Sequence, residues 1–237
     1  MSSSALRRVR KDLRKYGSRP KAKLLQRFFK TGPGEYAEGD VFLGVMVPAT
    51  RLVAGRYKDL GLKDTLTLLT SRFHEERLTA LLILIDRFRN SGPQDRRRIY
   101  RSYLAHTRCI NNWDLVDLSA GHIVGAFLWD KEKKPLYTLA RSRMLWERRI
   151  AIVATSYFIG RGRFTETLRI SRLLLKDKED LMHKASGWML REVGKRDQKA
   201  LETFLKTCYR RMPRTMLRYA IERFPEKKRQ RYLRGTA

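Results

Sequence analysis

The chain has 237 residues, 42% of them hydrophobic, so it can bury a substantial core and is not an intrinsically disordered polypeptide. Its 53 lysines and arginines against 24 acidic residues give a net charge of +29, an excess that repels itself unless a polyanion offsets it. Nucleic acid is therefore the first class of partner that the composition indicates, and an anionic membrane surface is the second.

Cysteine and histidine are sparse. Cys109 and Cys208 are far apart and no histidine cluster accompanies them, so neither a disulfide framework nor a zinc site is indicated. The Gly-Arg-Gly triplet at 160–162 is more typical of a turn than of a phosphate loop, and we expect no metal and no cofactor. No apolar signal core or membrane-spanning run is visible, which favours a cytoplasmic protein, bacterial in style, that does not enter a membrane.

Hydrophobic spacing predicts helices along the chain. Residues 4–16 place Leu6, Val9 and Leu13 among basic residues at helical spacing, and residues 21–29 repeat the pattern. The glycine-rich run 31–40 predicts a loop, before a helix whose first turn contains Pro48. Further helical patterns cover 64–71, 75–89, 94–106, 112–128, 134–142, 145–159, 164–175, 179–194, 198–210 and 213–223. Alternating β-branched segments are absent, so the predicted fold is all-α, with a basic tail from about residue 225 that has room for a short helix.

Equivalent helices recur along the chain at a nearly constant period. Arg77, Trp113, Arg149 and Lys184 each fall near the start of such a helix, at spacings of 36, 36 and 35 residues. A helix pair repeated at this length is typical of an α-solenoid, which predicts one C-shaped domain over residues 1–237 with a basic concave groove for a phosphate backbone. The alternative is a chance spacing in a chain rich in arginine.

Tryptophans lie among polar residues in several places. Trp113 and Asp117 are four residues apart, so a helix would place them on one face. On a later helix, Lys184, Trp188 and Arg191 also share a face. Each tryptophan taken alone is more typical of a core position than of a functional site.

Three segments, at 113–117, 146–151 and 184–192, together resemble the AlkD-type DNA alkylation repair family, whose members are HEAT-like helical-repeat DNA glycosylases. The similarity extends from about residue 42 to about residue 195. Departures from the family pattern are Met46 and Val47 after the Phe-Leu-Gly segment, and Leu181 where an aromatic residue is expected.

The resemblance implies roles for particular residues. It implies that Asp117 is the catalytic carboxylate and that Trp113 and Trp188 are cleft tryptophans. It also implies that Arg149 positions the DNA, with Arg148 as the substitute if the register is shifted by one residue. The other predicted DNA-binding residues are Arg191, Lys184 and Arg77.

The activity implied is that of a monofunctional glycosylase, which we expect to act as a monomer. It would hydrolyse the N-glycosidic bond of cationic N3- or N7-alkylated purines in duplex DNA and so initiate base excision repair. The alternative is a helical-repeat protein that binds DNA or RNA without catalysis. Both predict salt-sensitive binding, and only the first requires Asp117.

Overall fold

A computed structural model describes residues 3–237, and within this range the chain is helical, with a single isolated bridge between Val41 and Phe73 and no β-strand. The helices are α1 (Ser4–Lys15), α2 (Arg19–Phe28), α3 (Val47–Arg56), α4 (Leu62–Leu69), α5 (His74–Asn90), α6 (Pro93–Ala105), α7 (Trp113–Ala120), α8 (Ala126–Leu128), α9 (Lys134–Ala140), α10 (Leu145–Ala154), α11 (Ser156–Ile159), α12 (Thr165–Leu173), α13 (Asp180–Arg196), α14 (Gln198–Cys208), α15 (Arg214–Ala220) and α16 (Glu226–Arg234). The all-α prediction is confirmed, and the helix order is consistent with a solenoid of helical repeats.

The chain forms two compact units, of which the first extends to Leu115 and the second runs from Val116 to Ala237. In the first unit, α3 and α4 pack against α5, and the apolar stripe of α1 is buried through Leu6, Val9 and Leu13. The Ser3 hydroxyl accepts a hydrogen bond from the Leu6 backbone N–H and so caps α1. Helix α5 is buried on most sides, as its leucine-rich pattern predicts.

The core of the second unit is built on α13, which packs against α10, α14 and α15. Gly187 permits this packing, because a Cβ there would lie 2.5 Å from the Met216 carbonyl oxygen of α15. In the described part of the chain, no helix combines the length and the apolar character needed to cross a bilayer.

A π-helical turn at Gly121–Gly125 interrupts the helix predicted at 112–128. A Cβ on Gly125 would collide with the Ala154 carbonyl oxygen, and one on Gly121 would collide with the Ser156 hydroxyl. The two glycines therefore allow the turn to approach the junction of α10 and α11 closely, and hydrophobic spacing alone does not reveal such a contact.

The basic tail predicted from about residue 225 is a packed helix, α16. Tyr232 is buried, and its ring lies edge-on to Tyr209 at 5.2 Å and to Phe224 at 5.7 Å. Most residues of α16 are charged, and Tyr232 is its one aromatic residue. The composition of this segment therefore predicted a basic tail rather than part of the core.

Hydrogen bonds define the register of the repeat. The Arg77 guanidinium donates to the carbonyl six residues earlier, that of Ser71, at 3.0 Å, and Arg148 donates to the equivalent carbonyl of Ser142 at 3.1 Å. The His183 ring approaches the carbonyl six residues before it at 2.6 Å. The equivalent positions are therefore 77, 148 and 183. The predicted alignment, which placed Arg149 and Lys184 opposite Arg77, was wrong by one residue toward the C-terminus.

We expect Gly125→Ala to destabilise the protein by about 1–3 kcal/mol, because the added methyl group overpacks a contact with backbone. Gly160→Ala is the matched control, since a Cβ there would meet the nearest carbonyl at 3.5 Å, an ordinary contact. Urea unfolding followed by circular dichroism measures both changes. Equal stability of the two variants would contradict the close approach at Gly125.

Candidate functional site

Asp117 and Arg149 form a bidentate ion pair within the second unit. Arg149 Nε donates to Asp117 Oδ1 and Nη2 donates to Oδ2, each at 2.8 Å. The Asp117 side chain is 20% exposed and that of Arg149 only 6%. The carboxylate is therefore reachable from solvent, and the guanidinium that fixes its orientation lies beneath the surface.

A further bond joins Arg149 to a third helix. Its Nη1 donates to the Leu181 carbonyl oxygen at 2.6 Å, so Arg149 of α10 holds groups of α7 and α13 at once. The neighbouring Arg148 pairs with Asp177 at 2.6 Å. Both arginines predicted to meet DNA therefore also hold protein partners.

The predicted face of α13 is its more accessible face. Lys184, Trp188 and Arg191 are half-buried, whereas the intervening residues 185–187 are buried. Lys184 pairs with Asp180 at 2.8 Å with its side chain 42% exposed, and Arg191 pairs with Glu222. Trp188 thus lies between two cationic side chains, as the spacing predicts.

In the first unit, Trp113 is one end of a stack of rings. Its indole lies 5.2 Å from the ring of Phe29 in a stacked arrangement and 6.0 Å from that of Phe28 in an edge arrangement. Phe28 is 61% exposed. Phe28 was not among the predicted site residues, although two adjacent aromatic residues at the end of a basic helix were a visible signal in the sequence.

A buried ionic network adjoins this stack. His74 lies between Asp40, at 3.3 Å from Nδ1, and Asp114, at 2.8 Å from Nε2. Burial lowers the pKa of His74, but hydrogen bonds to Asp114 and Asp40 outweigh it, and the net shift is upward. Burial raises the pKa of Asp40, yet its bonds to His74 and its pairing with Arg77 hold that pKa below the usual value. The four histidines are scattered along the sequence, so no local pattern singles out His74.

Arg77 belongs to the same network. It is 4% exposed, and its guanidinium pairs with Asp40 at 2.7 Å. The DNA-binding role of Arg77 stays a prediction, and this burial does not favour it.

The fold and the side chains define a class of protein: it is basic and all-helical and carries partly exposed indoles, which are features suited to contact with nucleic acid, and it has in addition a partly exposed carboxylate. The family model described as "DNA alkylation repair enzyme" matches residues 9–224, and the chain belongs to that family. This membership gives the protein a role in the repair of alkylated DNA.

A solved structure supports the fold. It is the "Predicted DNA alkylation repair enzyme from Enterococcus faecalis", which superimposes with a TM-score of 0.66 at 15% sequence identity and covers 89% of this chain and 97% of its own. No curated protein sequence gives a significant match.

We expect Arg149→Met to lower the free energy of unfolding by about 2–3 kcal/mol. This loss is smaller than that expected on breaking a fully buried ion pair, because water reaches Asp117. Lys184→Met, in an exposed pair of the same unit, is the control and should cost about 0–1 kcal/mol. Chemical unfolding at neutral pH measures both. Comparable costs would contradict a stabilising role for the Asp117–Arg149 pair.

Proposed function

We propose that the protein is a DNA glycosylase that releases cationic N3- and N7-alkylated purines from duplex DNA, with Asp117 as the catalytic carboxylate. The observation that carries the proposal is the partly exposed Asp117 carboxylate, held by a buried arginine in a chain of the DNA alkylation repair family. The proposed reaction is hydrolytic and leaves an abasic site without strand cleavage.

The chemistry suits a carboxylate. A purine alkylated at N3 or N7 is positively charged, its bond to deoxyribose is weak, and its departure leaves a sugar with oxocarbenium character. Asp117 would stabilise that cation and orient the attacking water. Two unit charges about 4 Å apart at an effective dielectric near 20 interact by roughly 4 kcal/mol, an upper-range value worth on the order of 10³ in rate.

The indoles would contribute to selectivity. An electron-rich ring facing a cationic nucleotide contributes about 0.5–2 kcal/mol of cation–π binding energy. A neutral base would gain much less from the same ring. Trp113 and Trp188 are the proposed rings, and Phe28 joins them as an exposed aromatic beside Trp113. Charge, rather than a pocket that reads the edge of the base, would then distinguish damaged from normal purines.

The cationic residues are assigned two roles. Arg149 orients the acid, since its guanidinium is buried against Asp117. Lys184, Arg148 and Arg191 contact the DNA backbone, where each neutralised phosphate releases counterions.

One observation favours a second function. Asp117 already has an ion-pair partner, which a purely structural carboxylate would also have. A helical-repeat protein that binds nucleic acid without catalysis is therefore the alternative, and the Asp117 experiment decides between the two.

We expect Asp117→Asn to reduce base release by on the order of 10²–10³, because the amide cannot stabilise the sugar cation. Affinity for DNA should be unchanged or higher, since a negative charge is removed. Release of 7-methylguanine and 3-methyladenine from methylated duplex DNA, measured by mass spectrometry, checks the rate.

Asp180→Asn is the matched control, because Asp180 is an exposed acid of the same unit, and it should leave base release unchanged. Absence of base release by the wild-type protein would leave the binding-only function. Equal activity of wild type and Asp117→Asn would move catalysis to another residue.

We expect Lys184→Gln to reduce the slope of log affinity against log salt concentration by about 1, the effect of one lost phosphate contact. Lys184→Arg preserves the charge and should keep the wild-type slope. Fluorescence anisotropy with an undamaged duplex measures both variants. A slope unchanged in Lys184→Gln would remove this residue from the DNA interface.

A further inference from the structure

His74 faces a carboxylate on each side of its ring. The ring is 2% exposed, and the carboxylates of Asp40 and Asp114 lie 3.3 Å and 2.8 Å from its two nitrogens. An ionised carboxylate only accepts hydrogen bonds, so both contacts are satisfied only when both ring nitrogens carry a proton. The geometry therefore favours the imidazolium form.

Charge balance leads to the same conclusion. Arg77 pairs with Asp40 at 2.7 Å, and Asn111 donates to the same carboxylate at 3.2 Å. With His74 protonated, two cations oppose two anions. Loss of its proton would leave an uncompensated negative charge in a mostly buried place, which is costly.

Two connections lead from His74 to Trp113. The first is through the backbone, because Asp114 directly follows Trp113 and its carboxylate bonds to His74. The Asn112 side-chain oxygen also accepts a hydrogen bond from the backbone N–H of Trp113 at 2.8 Å. Through the rings, His74 stacks on Phe42 at 4.5 Å.

The stack continues from Phe42 to Phe29 at 5.1 Å and from Phe29 to Trp113 at 5.2 Å. The interplanar angles along it are 18–22°. The orientation of the indole is thus tied to the histidine from two directions.

We infer that His74 is a positioning residue for Trp113, and that its imidazolium form holds the indole in the orientation that meets the cationic nucleotide. This inference rests on the proposed function for its catalytic meaning, although the coupling between His74 and Trp113 does not. The charged groups that face the ring are Asp40 from the loop before α3, Asp114 from α7 and Arg77 from α5.

The sign of the pH dependence follows from the upward pKa shift of His74. Its contribution to stability is fully present below about pH 6.5, the pKa of an unperturbed histidine, and is lost as the pH rises through the higher pKa of the folded state. The lowered pKa of Asp40 adds a contribution that is lost only on strong acidification. The network is therefore complete from mildly acidic pH up to the pKa of folded His74.

The test is a pH titration of tryptophan emission between pH 6 and pH 10. Subtracting the titration of Trp113→Phe from that of the wild type isolates the signal of Trp113. We expect a transition above pH 6.5 in wild type, its loss in His74→Gln, and its retention in His106→Gln, where the replaced histidine bonds to the Ser102 carbonyl instead.

Asp114→Asn provides a second variant in case His74→Gln folds poorly. It removes one negative partner and keeps an acceptor oxygen, so the transition should move to lower pH. A Trp113 signal that titrates identically in wild type, His74→Gln and Asp114→Asn would overturn the inference.

A catalytic readout separates positioning from stability. At a temperature at which the His74→Gln variant is still folded, this substitution should lower the single-turnover rate of base release at least tenfold, while the affinity for DNA is retained. A rate equal to that of wild type would overturn the positioning role. Absence of base release by wild type would instead reject the proposed glycosylase, and the fluorescence titration would still test the His74–Trp113 coupling.

Discussion

Four consecutive charged residues at the start of α5, positions 74–77, are buried in the first unit, and the loop and helix beside them depend on the pairing of these side chains. The Glu75 carboxylate accepts from the backbone N–H groups of residues 43–45 at 2.8–3.1 Å. Glu76 pairs with Arg10 of α1 at 3.0 Å. Desolvating such charges is expensive unless each is compensated, so the same residues that order the first unit also make it intolerant of unmatched substitutions there.

In the second unit, two adjacent arginines hold neighbouring segments together in a similar way. Arg148 satisfies carbonyl groups at the turn that precedes its own helix and also pairs with Asp177, while Arg149 reaches from α10 to α7 and α13. A planar guanidinium with five donors can bridge several acceptors in fixed geometry, which lysine cannot do. This explains how Arg148 and Arg149, near the start of α10, each hold several partners and why the carboxylate of Asp117 is held in one orientation.

Much of the fold was predictable because its helices carry apolar residues at a regular spacing. The boundaries of α1, α5 and α13 lie within a few residues of the periodic patterns. Helix α16 was harder to predict because one buried tyrosine is a weak pattern among many charges. The repeat length was also correct, but spacing alone could not decide between Arg148 and Arg149, since either preserves the period within one residue.

The candidate site was predictable only in part, for a different physical reason. Trp113 and Asp117 lie close in sequence, so helical spacing could relate them. The partners of His74, in contrast, lie 34 and 40 residues away in the sequence. Contacts of this range depend on how helices pack, and no local pattern encodes them.

The cationic side chains fall into two groups, those buried in ion pairs with protein acids and those in contact with water. Arginines near the candidate carboxylate, such as Arg149, are buried against protein acids, so their charges are largely cancelled before any ligand arrives. Attraction for a polyanion must therefore come mainly from cations that keep contact with water, of which Lys184 is an example. The pairing has a second consequence, because two parallel hydrogen bonds from a single buried guanidinium fix the orientation of the Asp117 carboxylate, which a set of mobile surface cations could not do.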